Sequence, residues 1–154
     1  MSSGYRWIMI NIKIQSNKFD FSKEIKNFQN NKIDGAVVCF LGSVRDLKLG
    51  ETLEKLEIEY YPKMAKKVLK ETAKKAFNKW SLSQCLIIHR FGELEVNEPI
   101  VLVITQTKHR KDAFKANEYI IDFLKINAPF WKKEHSPKGA KWVKQNKSDL
   151  EVSF

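Results

Sequence analysis

The sequence predicts an α+β fold with a mostly antiparallel sheet and two long packed helices. Three observations carry that expectation. Stretches of strand character follow one another across short turns, as hairpins do, instead of alternating strictly with helices. Two stretches, 62–80 and 108–127, place apolar residues at helical spacing and can lie on such a sheet. Short continuous apolar runs such as "PIVLVI" suit buried strands.

The elements follow in order. "WIMINIKI" (7–14) alternates as a first strand should. Asp20 can cap a short helix, "FSKEIKNFQN", in which Phe21, Ile25 and Phe28 recur at helical spacing. "GAVVCFLGSVR" (35–45) is an apolar run ending at Gly42 in polar sequence, which reads as a central strand leading into a loop. That loop, 45–52, is polar and is expected to be mobile. In "LEKLEIEYY", Leu56, Ile58 and Tyr60 alternate with Glu57 and Glu59, so one face is buried and one wet. Pro62 suits the first turn of a helix whose inner stripe is Met64, Val68, Leu69, Ala73, Ala76, Phe77 and Trp80. "SQCLIIHRFGEL" is a strand reaching a turn at Gly92, and "EVNEPIVLVITQT" is a turn and a strand with Pro99 at its start. In the second long helix Ala113, Phe114, Ile120, Ile121 and Leu124 face the core, and Pro129 ends it near Ala128. Phe130 and Trp131 then anchor the returning chain in apolar surface. The remaining tail is polar and weakly patterned, with Trp142 and Val143 as anchors and mobility expected beyond about 143. The order is β-α-β-β-α-β-β-α-tail.

The 154 residues fit a single domain spanning 1–154 and can bury a core. Twenty-eight basic against 18 acidic residues give a net charge of +10, which favours anionic partners: nucleic acid, phosphorylated metabolites or an acidic protein. The lysines are scattered, and singly each reads as solvated surface. No apolar run is long enough to span a membrane, and "MSSGYRWIMINIKI" is too short and mixed for a secretory signal, so a cytoplasmic protein is expected, with Met9 as an alternative start. Cys39 and Cys85 lie in strand-like sequence with no Cys-x-x-Cys pair, and His89, His109 and His135 lack ligand spacing, so buried thiols and no metal are expected.

Charge gathers at the ends of regular elements in three places: Arg45 beyond the strand 36–41, the pair His109–Arg110 before the second long helix, and Lys125 with Lys132, Lys133 and Glu134 around Pro129. A helix start has unpaired N–H groups and a positive dipole end, so His109 and Arg110 can build a phosphate or carboxylate site there, or be a solvated pair. Lys125 lies in a last helical turn, where a cation is favoured. If the chain folds back after Pro129, Lys132 is held near Lys125, and mutual repulsion with loss of water lowers lysine basicity enough for nucleophilic or acid–base work, with Glu134 offsetting part of the charge. The bland alternative is an aromatic anchor with surface lysines.

"GAVVCFLGSVR", "LEIEYYPKMAKK", "IIHRFGEL", "TKHRKDAFKANEYIIDFLK" and "APFWKKE" stand in an order and spacing that resembles the catalytic (large) subunit of molybdopterin synthase, over roughly residues 33–143. The resemblance implies an α/β-hammerhead fold and a homodimer of large subunits within a heterotetramer. Each large subunit then binds a small ubiquitin-like sulfur carrier, whose C-terminal Gly-Gly thiocarboxylate enters a pocket. The implied reaction is sulfur transfer converting cyclic pyranopterin monophosphate to molybdopterin, with two carriers consumed and no cofactor. Residue by residue, it implies substrate contacts from Ser43, Val44 and Arg45, and a basic pair, His109 and Arg110, that reaches the other protomer's pocket. It implies catalytic lysines at Lys125 and Lys132, Lys133 and Glu134 completing that segment, and Phe40 and Ile121 lining the pocket. Ile121, where methionine is frequent, and Cys39, where a small polar residue is frequent, depart from the pattern and bear on pocket shape. Val96–Pro99 replaces a commoner turn outside the site. Two other functions fit the same residues: a basic nucleic-acid-binding module, and a non-catalytic scaffold for the carrier.

Overall fold

A computed structural model describes residues 9–28, 33–47, 51–127 and 129–143. Expectations for residues 1–8, the middle of the 45–52 loop and the tail beyond 143 lie outside the described residues. The elements are β1 (Ile10–Gln15), α1 (Phe21–Lys26), β2 (Ala36–Ser43), β3 (Lys55–Tyr60), α2 (Pro62–Lys79), β4 (Gln84–Arg90), β5 (Gly92–Leu94), β6 (Pro99–Thr107), α3 (Arg110–Ile126), β7 (Phe130–Ser136) and β8 (Gly139–Trp142).

The strands form two four-stranded sheets, not one: β1-β4-β6-β2 and β5-β3-β7-β8. Every pairing is antiparallel except β1 with β4. The α+β class and the antiparallel bias are therefore as expected. Strands β4 and β6 sit at the centre of the first sheet and are covered on both faces, which explains their unbroken apolar runs. On one face Leu69, Ala73 and Ala76 of α2 and Ala116 and Ile120 of α3 pack on Ile87 and Val103. On the other, Phe19, Ile25, Phe28 and Cys39 cover Leu86, Ile88, Leu102 and Ile104. A further cluster, Val44, Leu53, Leu56, Ile58, Leu94 and Ile100, joins the second sheet to the first.

Several expectations need correction. The segment after Pro129 is no irregular return but β7, paired along its length with β3, and part of the supposed tail is β8. Strand alternation sends Phe130 inward and Trp131 outward, so Trp131 is 44% exposed and only Phe130 anchors. Trp142 and Val143 are also exposed and anchor nothing in the core. The strand "SQCLIIHRFGEL" turns at Gly92 as expected, at φ +91°, a region that favours glycine, but the residues that follow form a further strand, β5. On the long helices Leu69, Ala73, Ala76, Ala113 and Ile120 are buried as predicted, but the edge of each stripe is shifted. Met64 and Phe114 are exposed, and the buried positions fall to Ala65, Thr72, Ala116 and Asn117. Small residues let each helix lie close to the sheet, and bulk at neighbouring positions misled the periodicity.

A candidate active site where two sheets meet

The register of α3 on the first sheet determines what meets at its end. The Thr105 hydroxyl donates to the Ala113 carbonyl at 2.8 Å, and buried Asn117 donates to the carbonyls of Val103 at 3.0 Å and Val38 at 3.1 Å. The helix therefore runs antiparallel to β6 across β2. Four helical residues advance about 6 Å and two strand residues nearly 7 Å. One turn beyond Asn117 brings Ile121 to the level of Phe40, and a second brings Lys125 to the end of β2 that carries Gly42 and Ser43. Phe40, Gly42, Val101 and His89 share this level and this face through strand pairing. Gly42 is required there, because a Cβ would come within 2.8 Å of the Val101 side chain and 3.1 Å of the Phe40 ring.

The second sheet closes the same end. Phe130 stacks on His89 with ring centroids 3.8 Å apart and planes at 12°. Lys132, two residues on and on the same face of β7, is half-buried opposite Ile58, and its charge bears on His89. Lys125, Lys132, Phe40 and Ile121 thus belong to one end of the α3 face. Ser43 and Arg45 leave β2 at that end and are exposed. Asp46 accepts from the amides of Leu47 at 2.9 Å and Leu53 at 2.8 Å, which pins the described ends of the following loop and holds its carboxyl below the usual range.

Other expected residues go elsewhere. Val44 is buried in the joining cluster, and its amide and carbonyl bond Glu98 and Asn97, so no group of it faces the site. Lys133 lies on the opposite face of β7 from Lys132, its Nζ 5.2 Å from the Trp142 ring centre, while Glu134 returns to the Lys132 face. His109 and Arg110 are exposed at the start of α3. Fifteen residues of helix separate Arg110 from Lys125, about 22 Å along the axis. One chain therefore holds His109 and Arg110 apart from Lys125.

A shallow groove of about 310 Å³ on the outer face of the second sheet is lined by Glu59, Tyr60, Tyr61, Trp131 and Trp142 and contains neither lysine. Aromatic rings therefore stand on an exposed strand face here. The thiols are packing groups. Burial pushes Cys85 up to about 12 and also raises Cys39, so both stay protonated near neutrality. Among the described residues no cluster of three His, Cys, Asp or Glu side chains could hold a metal, and no helix is long and apolar enough to cross a membrane.

Sequence reasoning missed His89. It is buried, its Nδ1 lies 2.8 Å from the Arg90 carbonyl, and burial, together with the nearby Lys132 charge, lowers its pKa to about 3 despite that bond. The only early signal was a histidine at an inward position of an apolar strand. The unfolded chain binds this proton below about pH 6.5, whereas the folded chain does so only near 3. The stabilisation is therefore complete above pH 6.5 and is lost as pH falls toward 3, by up to about 1.4 kcal/mol per pH unit. Urea midpoints between pH 7 and 4 should fall more steeply for the native chain than for His89→Phe, and parallel curves would refute the assignment.

The family model described as MoaE protein matches residues 14–127. The molybdopterin synthase catalytic subunit of Haemophilus influenzae is 42% identical over 143 residues, covering 93% of this chain and 95% of that protein. The crystal structure of molybdopterin synthase from Staphylococcus aureus superposes with a TM-score of 0.78 at 37% identity, over 86% of this chain and 96% of that one. A complex of subunits 1 and 2 of the molybdopterin-converting factor from Helicobacter pylori shares the fold, with a TM-score of 0.71 at 23% identity over 90% and 92% of the two chains. Matched over most of its length by the family model and by a close relative, this chain belongs to the MoaE family, the catalytic subunits of molybdopterin synthase.

Proposed function

We propose that this chain transfers sulfur from the C-terminal thiocarboxylate of a small ubiquitin-like carrier to cyclic pyranopterin monophosphate, giving molybdopterin. What supports this reading is the register of α3 and β7, which directs Lys125 and Lys132, from different elements, toward one end of the α3 face beside exposed Ser43 and Arg45. A thiocarboxylate presents negative charge on both oxygen and sulfur, and two ammonium groups beside apolar walls stabilise it. In each transfer a carbon–sulfur bond forms on the substrate as one of its carbon–oxygen bonds breaks and that oxygen departs, and the carrier's own carbon–sulfur bond is then cut by hydrolysis. Water supplies the oxygen that leaves the carrier as a carboxylate. One lysine protonates the departing group, and the apolar side, Phe40 and Ile121, limits solvent access.

The 22 Å between Arg110 and Lys125 supports a site assembled from two copies of the chain. His109 and Arg110 of one copy, at a helix start, then bind the substrate's anionic group in the pocket of the other.

Arg110→Ala should raise KM for the cyclic precursor more than it lowers kcat. If sites are shared, mixing and re-equilibrating Arg110→Ala and Lys125→Ala dimers yields half heterodimers, each with one intact site, and so restores about a quarter of native activity. Mixtures no more active than their components would exclude a shared site.

A further inference from the structure

We propose that His89 is a positioning residue for Lys132: its imidazole is the platform on which Phe130 lies, and this stack fixes the start of β7 and the ammonium two residues on. The turnover part of this inference rests on Lys132 being catalytic; the geometric part does not.

The stack bridges the two sheets. His89 belongs to β4 of the first, whereas Phe130 and Tyr60 are paired residues of β7 and β3 in the second. Tyr60 stacks on Phe130 at 5.9 Å and 18°, and Phe91 leans on Tyr60 at 4.5 Å, so four rings run without interruption across the joint. A carbonyl can only accept, so the 2.8 Å contact with Arg90 places the proton on Nδ1 and holds the ring plane. His89 has 4% of its surface exposed, which leaves the ring no room to turn. The chemistry also suits the position. A cationic side chain under Phe130 would repel the Lys132 ammonium, and an aliphatic one would give Phe130 no flat partner. A neutral imidazole tied to the backbone supplies a flat, oriented, uncharged surface.

The test uses the full-length dimer with thiocarboxylated carrier, and a separate readout of Lys132 itself. His89→Ala should lower kcat by about tenfold to a hundredfold, as a misplaced catalytic group does, with KM for the cyclic precursor changed by less than about twofold. Acylation of lysines by a small N-hydroxysuccinimide ester, followed by peptide mass spectrometry, should show the Lys132 rate changed at least about threefold, while exposed Lys66 on α2 is unchanged. His89→Phe keeps a flat ring and should return both readouts to near native values. Phe130→Leu keeps bulk but loses the flat partner, and should alter Lys132 as His89→Ala does, which covers the case in which the alanine variant fails to fold. An unchanged Lys132 acylation rate in a folded His89→Ala or Phe130→Leu dimer overturns the proposal. A changed rate with native kcat upholds the positioning and removes Lys132 from catalysis.

Discussion

Lys125→Ala and Lys132→Ala should each reduce product formation by about a hundredfold or more while the protein stays folded. The expectation follows from comparing two costs. Lys125 is exposed on the last turn of α3 and Lys132 is half-buried, so truncation removes no core packing, and stability should change by less than about 1 kcal/mol. Removing a charge aimed at a developing anion in a sheltered site costs about 10²–10³ in turnover. Arginine separates the two roles. It keeps the charge and cannot give up a proton at working pH, so a position that only stabilises charge tolerates arginine in part, and the one that donates a proton does not. Initial rates beside thermal melts are sufficient. Near-native turnover in both alanine variants would remove the mechanism.

Arg90→Ala should destabilise the chain by about 2–4 kcal/mol, the largest effect expected of a single charged residue here. Arg90 is 4% exposed. Its Nε and Nη2 donate to the Ser16 carbonyl at 3.2 and 2.9 Å, and its Nη1 donates to the Pro99 carbonyl at 3.1 Å, so it ties the end of β1 to the start of β6. Glu98 stands 3.6 Å away and also pairs with Lys18 at 3.1 Å. Alanine leaves two carbonyls without these donors and a carboxylate without its buried partner. Partial exposure of Glu98 and its second partner keep the loss below that of a fully buried pair. For a chain of this size each kcal/mol lowers Tm by about 2–4 °C. A loss under about 1 kcal/mol in urea unfolding would show that the network is replaceable.

Much of this architecture was legible in the sequence because local rules and tertiary packing agree. The β4 and β6 runs are continuous because both faces are covered, and Pro62 and Pro129 mark helix ends as steric rules require. Asp20 caps α1 as expected, accepting from the Lys23 amide at 3.2 Å. The second sheet was not legible. "FWKKEHS" carries little apolar alternation, since β7 stands between β3 and β8 with charged groups on both faces. Its strand character comes from pairing with β3, a partner some seventy residues away that no local window includes. The helix stripes shifted because alanine, threonine and asparagine took the buried positions, and only tertiary contact distinguishes those from a neighbouring methionine or phenylalanine. At the site, Lys125 and Lys132 stood out as charge at element ends. Their common end of the sheet follows from register, and His89 and Gly42 acquire meaning only once Phe130 and Val101 are seen against them.

The proposed sulfur-transfer site is formed by two lysines from different elements. Its most direct measurement is to incubate the purified dimer with thiocarboxylated carrier and cyclic pyranopterin monophosphate, then quantify dithiolene product and spent carrier. The expected result is molybdopterin with two carriers consumed per molecule, and at most about a hundredth as much from either alanine variant. Carrier that binds and remains thiocarboxylated, with no dithiolene formed, would contradict it.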